Sequence, residues 1–248
     1  MLERWMLEHR PPNGRTRAVV YTVPAAGAGA AAHRELAGEL PDRLAVFSLR
    51  LPGRESRFSE PPLRTMTEVI GAYGEKLARH ARGHGLPFVL VGDCSGGLIA
   101  YELGRSLERR ESGPPEAVAV IGQHAPCAGD APSALSSLPE DRFRAALVEE
   151  GILSSEVAAD DAMFAFFGPV VRADLAVAET YRWQARELPR FPIMAFTRDH
   201  LDARTEASLL AWTKATRGGV RLVARASSAT QLARLLDMEL DDLLAAPR

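Results

Sequence analysis

Phe88-Val89-Leu90-Val91-Gly92-Asp93-Cys94-Ser95-Gly96-Gly97-Leu98-Ile99-Ala100-Tyr101-Glu102-Leu103 is the stretch around which the chain is organised. Its first four residues are an apolar run with the look of a buried strand. Its last six have helical character. Between them stands a short turn flanked by Gly92, Gly96 and Gly97. Strand, glycine-flanked turn, helix is the layout of a nucleophile elbow, G-x-S-x-G, in which one side chain is lifted clear of the sheet edge. Here the central residue is Cys94.

Working outward, continuous apolar runs recur. Ala18–Val23 and Leu44–Leu49 precede the elbow; 117–121, 192–197 and 220–224 follow it. Helical patterns separate them: His33, Leu36 and Leu40; Met66, Val69, Ile70, Tyr73 and Leu77; a helix over about 205–215; and a terminal one carrying Leu232, Leu235, Leu236, Leu240 and Leu243. Apolar strands alternating with helices predict an α/β fold, a mostly parallel sheet covered on both faces. Residues 130–187 hold helical segments and no strand pattern, which predicts a helical lid inserted within a single domain. Residues 1–17 read as an arm with a turn at Pro11-Pro12-Asn13-Gly14.

Composition narrows the function. A chain of 248 residues with a formal charge of −2 carries no basic signature of nucleic-acid binding. No apolar run approaches the ~18–20 residues that cross a bilayer, and the charged amino terminus lacks the apolar stretch of a secretory signal. Two cysteines, Cys94 and Cys127, make no disulfide framework. A cytoplasmic monomer with no membrane or nucleic-acid partner is expected. No Cys/His spacing suggests a metal.

The chain resembles the type II thioesterases of polyketide and nonribosomal-peptide biosynthesis, discrete α/β-hydrolases. The resemblance runs from about residue 18 to 240. It rests on Pro24-Ala25-Ala26-Gly27, on Leu51-Pro52-Gly53-Arg54-Glu55-Ser56-Arg57 followed by Glu60-Pro61-Pro62, and on the elbow with Ala100-Tyr101-Glu102-Leu103. Arg172-Ala173-Asp174, Tyr181 and Pro192–Phe196 add to it. It implies an α/β-hydrolase fold and acyl substrates presented by an acyl or peptidyl carrier protein on a phosphopantetheine arm, with no cofactor of the enzyme's own. It also implies an oxyanion hole from the backbone N–H of Ser95 and of Ala25 or Ala26, and a catalytic acid at Asp199 or Asp202.

Three departures stand against the family pattern. Cys94 replaces its serine, Asp93 replaces the histidine before it, and Ala229 occupies the position of the catalytic histidine. No histidine follows His200. His124, just past the strand 117–121, and His200, on the acid loop, are the candidate substitutes; His9, His33, His80 and His84 read as surface positions. A helix amino terminus lowers a thiol pKa and a nearby Asp93 carboxylate raises it, so the sign of the sum is open. A thiolate attacks without a base, whereas water needs one worth ~10²–10⁴-fold. Cys94 is therefore expected to serve acyl transfer or cyclisation better than hydrolysis. Non-covalent acid/base chemistry by Asp93, His124 or His200, and an inactive carrier-binding relative, are the alternatives. Phe164, Phe167 and Val170 are the lid residues expected to meet an acyl chain.

Overall fold

The computed structural model describes residues 4–110, 113–128, 134–198, 203–222 and 225–245. Each apolar run in that range is a strand: β2 (Ala18–Val23), β3 (Leu44–Leu49), β4 (Phe88–Asp93), β5 (Ala117–Ile121), β6 (Ile193–Phe196) and β7 (Val220–Leu222). A seventh strand, β1 (Met6–Arg10), lies where the sequence reads as an arm. Its MLEHR ends in three polar residues, which an edge strand tolerates. It pairs antiparallel with β3, and Trp5 and Met6 are buried against the body.

The sheet order is β1-β3-β2-β4-β5-β6-β7, parallel apart from β1. Alternate strand residues point to opposite faces. Val19, Tyr21, Val23 and Leu90 face one apolar layer, with α2 (Met66–His84) and α3 (Ser95–Arg109). Ala18, Val20, Val89 and Val91 face the other, with α1 (Arg34–Glu39) and α8 (Ala229–Ala245). Both faces are covered, which is why the strands are apolar throughout. Helix α2 starts at a capping box, Thr65 with Glu68, and stops at Gly85 in the left-handed conformation, φ 62°.

Between β5 and β6 the chain forms α4 (Glu140–Glu149), α5 (Ser155–Ala159) and α6 (Asp161–Glu179). They share a small core of Phe143, Leu147, Phe164 and Val171. After β6 come α7 (Ala203–Leu210) and a 3₁₀ turn, Ala211–Lys214.

Candidate active site

Glycine placement makes the elbow. A Cβ on Gly92 would stand 2.2 Å from the Gly96 carbonyl oxygen, and one on Gly96 would stand 2.4 Å from that of Val23. Helix α3 can therefore start directly against β4 and β2, and only because both positions lack side chains. Cys94 takes up the remaining strain at φ 48°, ψ −126°. A non-glycine residue there is uncommon and persists only where its surroundings enforce it. Two hydrogen bonds do so: the Cys94 N–H donates to Ile121 O at 2.8 Å, and the Gly97 N–H to Cys94 O at 2.7 Å.

The Cys94 residue is exposed, yet its thiol is crowded by protein, and this burial pushes it up from the usual thiol range. The Ser95 backbone N–H, bonding the sulfur, and the Arg198 cation pull it down; the Asp93 carboxylate pushes it up. Desolvation is the largest of these, so the lowering expected from a helix amino terminus does not prevail. The Ser95 N–H, one of the two expected oxyanion donors, thus already points at the sulfur.

Asp93 points to the α1/α8 face and is held by Arg198, whose Nη2 donates to Oδ2 at 2.8 Å and whose Nε donates to Oδ1 at 3.3 Å. The two line a cavity of about 410 Å³ together with Ala25, His33, Ser228 and Ala229. Ala229 opens α8, and the chain before it is occupied with capping. Ser228 Oγ accepts from the Gln231 N–H, while Gln231 Oε1 accepts from the backbone N–H and hydroxyl of Ser227. A larger cavity of about 640 Å³, lined by Thr65, Glu102, Arg109 and Tyr181, opens further down α3. Glu102 lies eight residues past Cys94, ~12 Å along a helix; the smaller cavity includes Asp93, next to Cys94 in the chain, and Cys94 itself is not among the residues that line either.

The histidines read as surface positions are a correction: His9, His80 and His84 are half-buried, and the most buried of the four is His33. It is not a surface residue but 6% exposed, closing a 3₁₀ turn, Ala30–His33, before α1. Its Nδ1 lies 2.9 Å from Thr22 Oγ1, and burial pushes its pKa down to about 4. Its spacing to Leu36 and Leu40, both buried, was the available signal, and it does not separate a buried histidine from one turned outward. His124 is exposed and does not line the Asp93 cavity. Asp199, His200 and Asp202 lie outside the described residues. Cys127 donates its thiol to Ala211 O at 3.1 Å, a packing role.

The segment 51–62 has a structural meaning. Arg54 forms a buried two-pronged pair with Asp174 of α6, Nη1–Oδ2 2.7 Å and Nη2–Oδ1 2.6 Å, and also donates to Ala28 O at 2.9 Å. Asp174 Oδ2 accepts in addition from the Gly27 N–H at 2.8 Å. One carboxylate therefore ties the lid helix, the Arg54 loop and the Ala25–Ala28 turn together. Gly27, at φ 77°, is the residue that lets the turn close. Arg57 donates to Arg50 O and to the Tyr73 hydroxyl, and pairs with Glu60.

In the lid, Phe164 is buried among lid residues, edge-on to Phe143 and under the Arg144 guanidinium at 4.1 Å. Val170 is 8% exposed, and its methyl would lie 3.2 Å from a Cβ on Gly53. Both therefore pack rather than open outward. Phe167 and its neighbour Phe166 are exposed.

An elbow of this geometry on a mostly parallel sheet with a helical lid defines an α/β-hydrolase. The Thioesterase domain family model matches residues 18–236, and the chain belongs to the thioesterase family. Among curated relatives, the gramicidin S biosynthesis protein GrsT of Aneurinibacillus migulanus is 30% identical, covering 83% of this chain and 79% of its own. The type II thioesterase BorB from the borrelidin biosynthetic cluster superposes with a TM-score of 0.77 at 26% identity, over 97% of both chains. RedJ, a thioesterase of the prodiginine pathway in Streptomyces coelicolor, gives 0.78 at 28% identity over 92% of this chain and 91% of that one.

Proposed function

We propose that this thioesterase acts on acyl groups held as thioesters on the phosphopantetheine arm of acyl or peptidyl carrier proteins, in a polyketide or nonribosomal-peptide pathway. The acyl group passes to Cys94, and acyl transfer or cyclisation is favoured over plain hydrolysis. The observation that carries this reading is Cys94 at φ 48°, ψ −126°, with the Ser95 N–H on its sulfur. Strain of this kind has a use where a side chain must be presented to a substrate. Thioester exchange onto a thiol is nearly thermoneutral, so a cysteine is a competent acceptor.

Two features support transfer over hydrolysis. The residues before α8 are committed to its cap, with Ala229 where the family's histidine stands. Asp93 is engaged by Arg198, which argues against Asp93 as a free acid or base. Tyr181 donates to Glu102, itself paired with Arg105, and this network anchors the end of the lid to α3. Two free thiols suit a reducing cytoplasm.

The test measures thiol release from a panel of acyl-loaded carrier proteins by the native chain and by Cys94→Ala. Native turnover that falls at least a hundredfold in the variant supports the covalent reading. Retained turnover in Cys94→Ala would instead support non-covalent chemistry. No turnover by either, with carrier binding intact, would mean an inactive relative.

A further inference from the structure

The cavity of about 640 Å³ on the flank of α3 has no part in the acyl-Cys94 reading. It adjoins a second cavity of about 380 Å³, and the two share Glu102, Arg109, Tyr181 and Arg182. Together they make one groove between the start of α2, the second half of α3 and the chain that leaves α6. Its size suits a small ligand, for which pockets run to roughly 300–1,000 Å³. On the α2 side the groove meets Met66, Ile70 and Gly71. A Cβ on Gly71 would touch nothing within 4 Å, so this side is open.

The groove is cationic. Arg109 and Arg110 stand at the end of α3, Arg182 and Arg186 follow α6, and Arg105 lines the smaller cavity. Two carboxylates face them, Glu102 and Glu187. Glu102 is already engaged, accepting from Arg105 Nη1 at 2.6 Å and from the Tyr181 hydroxyl. Arg110 stands 3.8 Å from Glu75. Among the described residues, Arg109, Arg182 and Arg186 have no carboxylate partner. Arg182 is nevertheless held in place, its Nη1 donating to the carbonyls of Glu179 and Tyr181 at 2.7 and 2.9 Å. Like charges gathered at one cavity repel, and a bound anion relieves the repulsion. A second observation points the same way. Arg105 is 7% exposed, and its Nε is buried with no hydrogen-bond partner. Folded proteins leave few such groups, and each calls for an explanation.

We propose that this groove binds a phosphorylated small molecule with an apolar portion. The phosphoryl group is held by Arg109, Arg182 and Arg186, and the apolar portion lies on Met66 and Ile70. A phosphate monoester carries about −1.5 to −2 charge at neutral pH, and planar guanidinium forks match its oxygens. A carboxylate brings one charge to three cations. Thr180 and Tyr181 put the end of the lid helix in the wall of the groove, so an occupant ties that end of α6 to α2 and α3. Cys94 lines neither cavity, so this site stands or falls apart from the acyl-Cys94 reading.

Binding is measured on the native chain by calorimetry and by tryptophan fluorescence. Trp183 sits between Arg182 and Gln184 of the lining and donates to the Tyr101 hydroxyl at 3.4 Å, so it is a local reporter. Three probes without a thiol are compared: adenosine monophosphate, dodecyl phosphate and inorganic phosphate. At least one of the first two is expected to bind about tenfold more tightly than inorganic phosphate and to weaken as salt rises. Arg109→Gln and Arg182→Gln are each expected to lose about tenfold in affinity. Arg79→Gln makes the same charge change on α2 outside the groove, where Arg79 stands 3.8 Å from Glu75, and should leave binding unchanged. Circular dichroism checks the fold of each variant, and Arg109, exposed and without an ion pair, decides if Arg182→Gln does not fold. Tighter adenosine monophosphate binding assigns the groove to a soluble nucleotide-like ligand, and tighter dodecyl phosphate binding to a lipid-like headgroup; both uphold the site. No binding at millimolar probe, equal affinity for all three probes, or an equal loss in Arg79→Gln overturns it. Binding of tetraglutamate with none of the phosphates also overturns it, in favour of an acidic protein partner.

Discussion

Cys94 is open to reagents, yet its thiol sits above the usual range because desolvation outweighs the helix start. At neutral pH the thiol form dominates, and the reactive thiolate fraction grows about tenfold per pH unit until the raised pKa is reached. Two neighbours set the margin with opposite signs. Asp93→Asn removes a charge that raises the thiol pKa, so alkylation of Cys94 by iodoacetamide at pH 8 should speed up by several-fold. Arg198→Gln removes a cation that lowers it and frees Asp93, so the same reaction should slow. A titration of alkylation rate from pH 6 to 10 checks both; a shift in the same direction for the two variants would contradict the account. At this scale the elbow itself was legible, since Gly92, Gly96 and Gly97 mark the turn that holds Asp93 and Cys94. His33 was not, because a histidine on an apolar helical face has the same spacing whether it is buried or frayed outward. The hydroxyl bonded to it, that of Thr22, looked like part of an ordinary strand.

Among elements, one ion pair links the most parts of the site. Arg54 and Asp174 are 8% and 6% exposed at their side chains, and the same carboxylate holds the Gly27 N–H. Removing one partner of a buried pair leaves the other charge uncompensated, at a cost of about 3–5 kcal/mol. Asp174→Ala is therefore expected to lower unfolding stability by about that much, read from a denaturant midpoint. It should also slow Cys94 acylation by at least tenfold, since the Ala25–Ala28 turn loses its anchor. A variant with native stability and native acylation would show that the lid does not position this turn. The strings around Arg54 and Asp174 were visible as sequence, but their meaning was not: the two residues stand 120 positions apart, and only the fold brings them together. Strand β1 escaped for another reason. An edge strand needs few apolar residues, so Met6–Arg10 carries no run to notice.

For the whole molecule, the strand runs, the helices between them and the lid insertion could all be read in advance. A sheet covered on both faces demands continuous apolar strands, and that demand is written in composition. What composition does not carry is which side chains the loops bring to the sheet edge, because loops are set by local turns and caps and not by the apolar demand of the sheet. The scaffold places a strained cysteine at the sheet edge, and next to it in the chain Asp93, which shares a cavity with the capped start of α8. The central claim is that this cysteine carries the acyl group. Intact-mass spectrometry of the native chain after a short incubation with an acyl-pantetheine thioester tests it most directly. The account predicts a mass increase of one acyl group per chain, mapped to the peptide containing Cys94, released by hydroxylamine and absent from Cys94→Ala. Acyl turnover with no adduct at any time point, or an adduct that persists in Cys94→Ala, would contradict it.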